Sequence, residues 1–160
     1  MTRTGTRNDS GADLSPADMD RIFDAHLAAE SAQDLDALLD TLASDAVHEV
    51  VGDPAGALIG HAAIAHRYEQ LFNDLQATGT VPLRRRHGPG FLVDECIYEA
   101  IATGQPFGVH GGHRPVRMRL LHFLEFGPSA ISREIVWTDT AAVLAQLSEQ
   151  PGSDRTTPST

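Results

Sequence analysis

Cysteine is nearly absent from this sequence, with Cys96 alone among 160 residues. A single thiol excludes an internal disulfide, so the fold must stand on packing, and nothing argues for an oxidising compartment. Long hydrophobic runs are missing too. No stretch approaches the about 20 apolar residues of a membrane span. The opening MTRTGTRNDSGADLS lacks the apolar core of a secretory signal. Positive charge is scarce, with 12 basic against 22 acidic residues and a net charge of -10. Such a surface repels phosphate backbones, which excludes nucleic acid as an expected partner. The chain has no internal repeat, no CxxC pair, no glycine-rich phosphate loop and no nucleophile elbow. These absences predict a soluble, cytoplasmic protein without a membrane or nucleic-acid partner.

Apolar residues make up 41% of the chain, enough for one globular domain with a sizeable core. Residues 1–13 and 150–160 are polar and rich in Gly, Ser, Thr and Pro, so disordered ends are expected around a single domain at 14–149. The first helix starts at Ser15, a good N-cap, with Pro16 at the first helical position and Asp18 in the first turn. Its buried stripe is Met19, Ile22, Phe23 and Leu27, bordered by His26. A short second helix is expected at 34–42, a strand at 46–51, and a third helix at 60–75 that the run QATGTVP breaks. From Leu83 onward the pattern is mostly strand: LRRRHG, FLVDECIYEAIATG, and two strands joined at GPSA, with a closing helix from Thr140 capped by Asp139. Helices first and strands after argue an α+β fold with an antiparallel sheet.

One strand poses a chemical question. Met118, Leu120, His122, Leu124 and Phe126 share a face, so a single imidazole sits on an otherwise oily surface. The next strand carries Ser132, Glu134, Val136 and Thr138 on one side and Ile131, Arg133, Ile135 and Trp137 on the other. A three-residue loop between the strands would set His122 opposite Glu134, whereas a two- or four-residue loop would set Ile135 there. A His beside a carboxylate in a water-poor site has the means to act as a general base near neutral pH. His48 and Tyr68 are candidates for assisting donors. Tyr68, Phe72, Met118 and Leu120 are candidate substrate contacts. The plain alternative for each is packing: a structural His–Glu pair, a rim histidine, core aromatics. The RRRH run at 84–87 reads as a solvated strand face pairing with Asp94, Glu95 and Glu99. HGGH and VHE offer too few ligands for a metal, so no metal and no cofactor are expected.

The pieces DAVHEVVGDPAGALIGHAAIAHRYEQLF, RRRHGPGFLVDE and RMRLLHFLEFGPSAISREIVWTDTAAVLAQL resemble the SnoaL-like (polyketide cyclase-like) branch of the NTF2-like superfamily. The resemblance implies an NTF2-like cone, a curved antiparallel sheet wrapped over N-terminal helices with an internal pocket, often as a homodimer packed through sheet faces. Phe123, Ile135 and Trp137 would lie on that outer face. It implies an apolar small-molecule substrate, such as a polyketide-like one, and cyclase, isomerase or dehydratase chemistry by proton transfer. In the cyclases an Asp on the last strand works with a His on the strand before. His122 falls on the His position, and Val136 falls on the Asp position. Epoxide-hydrolase relatives use an Arg and two Asp residues whose spacing is not found here. Two further possibilities are a non-catalytic binding or assembly module and a lyase using another carboxylate such as Asp94.

Overall fold

The computed structural model describes residues 14–148, so the expectations for 1–13 and for 149 onward lie outside the described residues. Four α-helices and six strands follow in the order α1 (Pro16–Ala32), α2 (Leu35–Leu39), β1 (Leu42–Val50), β2 (Leu58–Ile59), α3 (His61–Asp74), β3 (Leu75–Gly88), β4 (Phe91–Ala102), β5 (Arg114–Phe126), β6 (Ile131–Thr138) and α4 (Thr140–Ser148). The strands form one curved, unclosed sheet in the order β2-β1-β6-β5-β4-β3. All neighbours are antiparallel except β1 and β6, which run parallel, so the sheet is mixed rather than wholly antiparallel. No helix among the described residues is long and apolar enough to cross a membrane.

The start of α1 follows its sequence signals. The Ser15 hydroxyl accepts from the Asp18 backbone N–H at 3.2 Å, and Pro16 opens the helix. Its buried stripe differs from the expected one. Met19, Ile22, Phe23, His26 and Ala29 face inward, while Leu27 is only half-buried. His26 is therefore central to the helix face, not at its border. The second helix is shorter than expected, because Leu42 already belongs to β1. α3 ends ahead of QATGTVP as expected, but that run is already strand, whereas strand was expected only from Leu83. Leu75 ends α3 in an extended conformation and begins β3 directly. Pro82 is tolerated because β3 is an edge strand, and ladder irregularities flank it between Pro82 and Arg84.

The inward faces of β4, β5 and β6 show the alternation of half-buried strands. They serve two apolar clusters. One joins Ile22, Phe23, Leu38, Ile64, Leu92, Leu124 and Ile131. The other, under α4, joins Cys96, Tyr98, Val116, Met118, Leu120, Val136 and Val143. Polar residues sit on each strand at the seam. His122 lies between Leu120 and Leu124, and Glu134 between Ile131 and Val136. The imidazole on the oily face thus marks the join between two cores.

The arginine run ties α1 to the sheet. Arg85 reaches Asp94 on β4 at 2.8 Å and Asp20 and Asp24 on α1 at 2.9 and 2.8 Å, with its guanidinium 5.0 Å from the Phe23 ring centroid. Arg84 pairs with Glu95 at 2.9 Å, but Glu99 pairs with Arg117 on β5 rather than with the run. Asp94 is buried. Removing its partner leaves a charge without compensation, which costs about 3–5 kcal/mol. Arg85→Ala should lose stability of that order in urea denaturation, and Arg85→Ala with Asp94→Asn should regain part of it. A loss confined to a few tenths of a kcal/mol would show that the clamp is a surface feature.

Candidate functional site

Glu134 is the centre of the seam. It is 1% exposed, and three protic groups lie within 4 Å of one of its oxygens. The Tyr68 hydroxyl donates to its Oε2 at 3.1 Å, and the Nε2 atoms of His26 and His48 lie 3.6 and 3.8 Å from the same oxygen. His122 acts on it through its charge field. The parallel pairing of β1 with β6 creates this arrangement, because it sets His48 directly beside Glu134.

The expected facing of His122 and Glu134 does not occur. Four residues, not three, separate Phe126 from its partner Ile131, and the ladder slips once more between Glu125 and Phe126. Ser132 is the residue left over, and its hydroxyl donates to the Glu125 carbonyl at 3.1 Å. The slip restores the parity that a four-residue loop alone would lose. His122 ends opposite Val136 and Leu124 opposite Glu134, so both polar groups still point inward, one pair apart.

His26 closes the cluster from behind. Its Nδ1 lies 2.7 Å from the Thr41 hydroxyl, which itself donates to the Leu38 carbonyl at 2.6 Å. The Thr41 proton is committed, so Nδ1 must be the donor. Nε2 of His26 is 3.2 Å from the Tyr68 hydroxyl. Tyr68 has one proton and two acceptors. That proton goes to Glu134 Oε2, and His26 Nε2, facing the same hydroxyl, competes for it.

The electrostatics keep these roles apart. Burial lowers the pKa of His26, His48 and His122 below the ordinary imidazole value, and the Glu134 charge only partly offsets it. Burial alone would raise Glu134, but the three imidazoles and the Tyr68 hydroxyl outweigh it and hold the carboxyl below its ordinary value. The chain's buried polar side-chain atoms without a partner, among the described residues, are His122 Nδ1 and Glu134 Oε1. Unpaired capacity of this kind is rare in folded proteins and is concentrated at this one place.

A pocket opens beside the cluster, with about 60 Å³ of room for solvent. Its wall includes His48, Tyr68, His122, Met118 and Leu120, together with Glu30, Tyr98 and Val136. Two expected site residues lie elsewhere. Glu134 is behind the wall and does not line the pocket. Phe72 packs against the first core, its ring 5.8 Å from that of Tyr68. Val50, Arg67, Leu71, Phe107 and Thr138 line both this pocket and a larger outer cleft of about 850 Å³. Phe107 stands at this junction with φ 54°, in a loop held close by Gly111, where a Cβ would meet the Ala102 carbonyl at 2.2 Å.

Sequence reasoning left His26 outside the site and missed Glu30, Tyr98 and Arg67 as lining residues. Glu30 follows His26 by four positions on the stripe of α1, which is the signal that would have found it. Asp94, Cys96 and His122 bring three potential metal donors within 4.8 Å of one another. Their chemistry fits a metal poorly. Arg85 already occupies a carboxylate oxygen of Asp94, and burial, with Asp94 and Glu30 adding to it, pushes the Cys96 thiol up to about 12.

Tyr68→Phe removes the one hydrogen bond that the Glu134 carboxylate receives among the described residues. Hydrogen bonds to charged groups contribute about 1.5–3 kcal/mol, so a loss of that size is expected in urea denaturation at neutral pH. Unchanged stability would mean that the hydroxyl does not serve the carboxylate.

The SnoaL-like domain model matches residues 23–126. A candidate SnoaL-like polyketide cyclase from Jannaschia sp. CCS1 superposes with a TM-score of 0.76 at 16% identity, covering 88% of this chain and 99% of that one. A candidate polyketide cyclase from Xanthomonas campestris gives 0.71 at 19% identity, covering 82% and 98%. An LEH-like epoxide hydrolase from M. tuberculosis gives 0.65 at 17%, covering 82% and 90%. At these identities the likeness is one of fold. Comparison with curated proteins found no match.

Proposed function

The chain belongs to the SnoaL-like family, and from that premise we propose that it is a cofactor-free acid–base enzyme acting on a small, mostly apolar molecule by cyclisation, isomerisation or dehydration. One observation carries the reading: two imidazoles, His48 and His122, line a single pocket while a buried carboxylate stands behind them. Burial keeps both rings neutral at pH 7, so each has a lone pair to accept a proton. His122 Nδ1 is enclosed, which leaves Nε2 as the ring atom open to a ligand. His122 is then the base and His48 the second proton carrier. Glu134 acts through His48 and Tyr68 as a positioning residue. All 12 basic residues are arginines, so no lysine is present to form a Schiff base, and carbon acidity has to be handled by general bases.

A second reading, a ligand-binding module without turnover, is favoured by Val136. It lines the pocket at the position where the resemblance to the cyclases would call for an acid–base Asp. A homodimer through the outer sheet face, where Trp137 is 42% exposed, belongs to the same proposal and is tested by sedimentation of the purified chain.

Deuterium uptake next to the carbonyl in a panel of small ketones tests the enzyme reading without a known substrate. The wild type should catalyse uptake, and His122→Ala should lower the rate by about 100-fold or more while melting normally. Since the base must be unprotonated, activity should persist below the ordinary imidazole value of 6.5 and fall only at more acid pH. Uptake that survives in His122→Ala removes that residue from the role. Ligand binding with no uptake on any ketone would favour the module.

A further inference from the structure

The pocket that holds the two imidazoles is too small for the molecule that the acid–base reading requires. About 60 Å³ is room for a handful of waters, each needing roughly 10–15 Å³. Ligand pockets run from about 300 Å³ upward, a size that the outer cleft reaches at about 850 Å³. A substrate must therefore come through the neck between the two cavities, and the neck has to widen as it does.

The residues of that neck stand on unequal supports. Val50 ends β1 and Thr138 ends β6, each paired across the sheet. Leu71 and Arg67 lie on α3, where Leu71 packs against both apolar clusters and Arg67 is held by Asp53 at 3.2 Å. Phe107 is the exception. It stands at the tip of the loop between β4 and β5, 39% exposed, in no strand or α-helix. Its backbone is left-handed, with φ 54° and ψ 29°, which a bulky side chain rarely adopts. Such conformations persist only where the surroundings hold them, and they gather at ligand clamps and switches. The base of the loop is firm. The Asp74 carbonyl accepts from the N–H groups of Thr103 and Gly104 at 2.9 and 3.2 Å, and its carboxylate accepts from the Gln105 N–H at 2.8 Å. The Gly111 N–H donates to the Gly104 carbonyl at 2.8 Å, and Arg114 donates to the carbonyls of His110, Gly111 and, on α4, Leu147. Pro106 is buried, whereas Phe107 and Gly108 are exposed. A pinned base and a bare tip make a hinged flap.

We infer that Phe107 is the gate of the inner pocket and the residue that selects substrates by the width and apolarity of their reacting end. The inference rests on the acid–base reading of the same pocket. With the Phe107 ring in the neck, His48 and His122 meet only water-sized guests. When the tip leaves its left-handed conformation, the ring swings out toward solvent and the backbone strain is relieved. Gly108, at φ 79°, turns with it at no steric cost. Opening leaves the apolar walls of the neck, Val50 and Leu71, without their cover. An apolar reacting end restores that cover, while a charged one would have to shed its water there and finds Arg67 already engaged.

Diethyl pyrocarbonate, which acylates neutral imidazoles and is far larger than a water, probes the gate without any turnover. Peptide mass spectrometry reads its rate at each histidine separately. In the wild type, His48 and His122 should react about tenfold or more slowly than the exposed His66, because a minor open state of about 0.1–10% admits the reagent. Phe107→Ala should raise both pocket rates about tenfold or more. Phe107→Trp, with a larger ring at the same tip, should lower them. His66 should keep its rate, and the fully buried His26 should stay unlabelled, which shows that each variant is folded. Pocket rates in the wild type equal to that of His66, or unchanged in Phe107→Ala, or no lower in Phe107→Trp, overturn the gate. Gated labelling with no deuterium uptake on any ketone keeps Phe107 in this role and sinks the enzyme reading. Uptake with labelling indifferent to Phe107 does the reverse. Where both hold, uptake by β-tetralone relative to acetone should rise about tenfold in Phe107→Ala.

Discussion

A carboxylate sealed in a protein interior is costly unless its charge is answered, and Glu134 is such a group. The rest of the site is the answer. Tyr68 donates to it, His26 and His48 stand within 4 Å of the same oxygen, and His122 feels its field from the next strand. Take away the charge and nothing explains why so many polar groups meet at the join of two apolar clusters. Burial, with the same charge adding to it, pushes the Glu30 carboxyl up to about 8.

The fold delivers these groups from separate elements. β1 and β6, parallel and distant in sequence, bring His48 beside Glu134. α3 carries Tyr68 over the sheet, and α1 lays His26 and Glu30 along its underside. Arg85 fixes α1 to β4, which sets the depth at which Glu30 enters. The inner pocket is small and the cleft outside it is large.

Much of this was legible before any coordinates. Alternation on β5 put His122 inward, Ser15 and Pro16 marked the start of α1, and the order of elements implied an α+β domain. What was hidden is non-local. No local pattern announces that β1 will lie parallel to β6, so the partner of Glu134 was read as His122 instead of His48. A single extra residue at Ser132 decided the register, and GPSA carries no sign of it. QATGTVP read correctly as the end of a helix but not as strand, because Pro and Gly disfavour strands, yet an edge strand accepts both. Glu30 escaped notice because a charged residue on a helix is usually solvated. Only its spacing from His26 marked it.

The account stands on one buried anion controlling several imidazoles. NMR of ring nitrogens in selectively labelled histidine, compared between wild type and Glu134→Gln, tests this most directly. The account predicts that the signals of His26, His48 and His122 in the wild type keep a neutral form below pH 6.5, and that all three shift together when the charge is removed, their protonation moving further to acid pH. Three rings that titrate at the ordinary value, or that do not respond to the loss of the carboxylate, would contradict it.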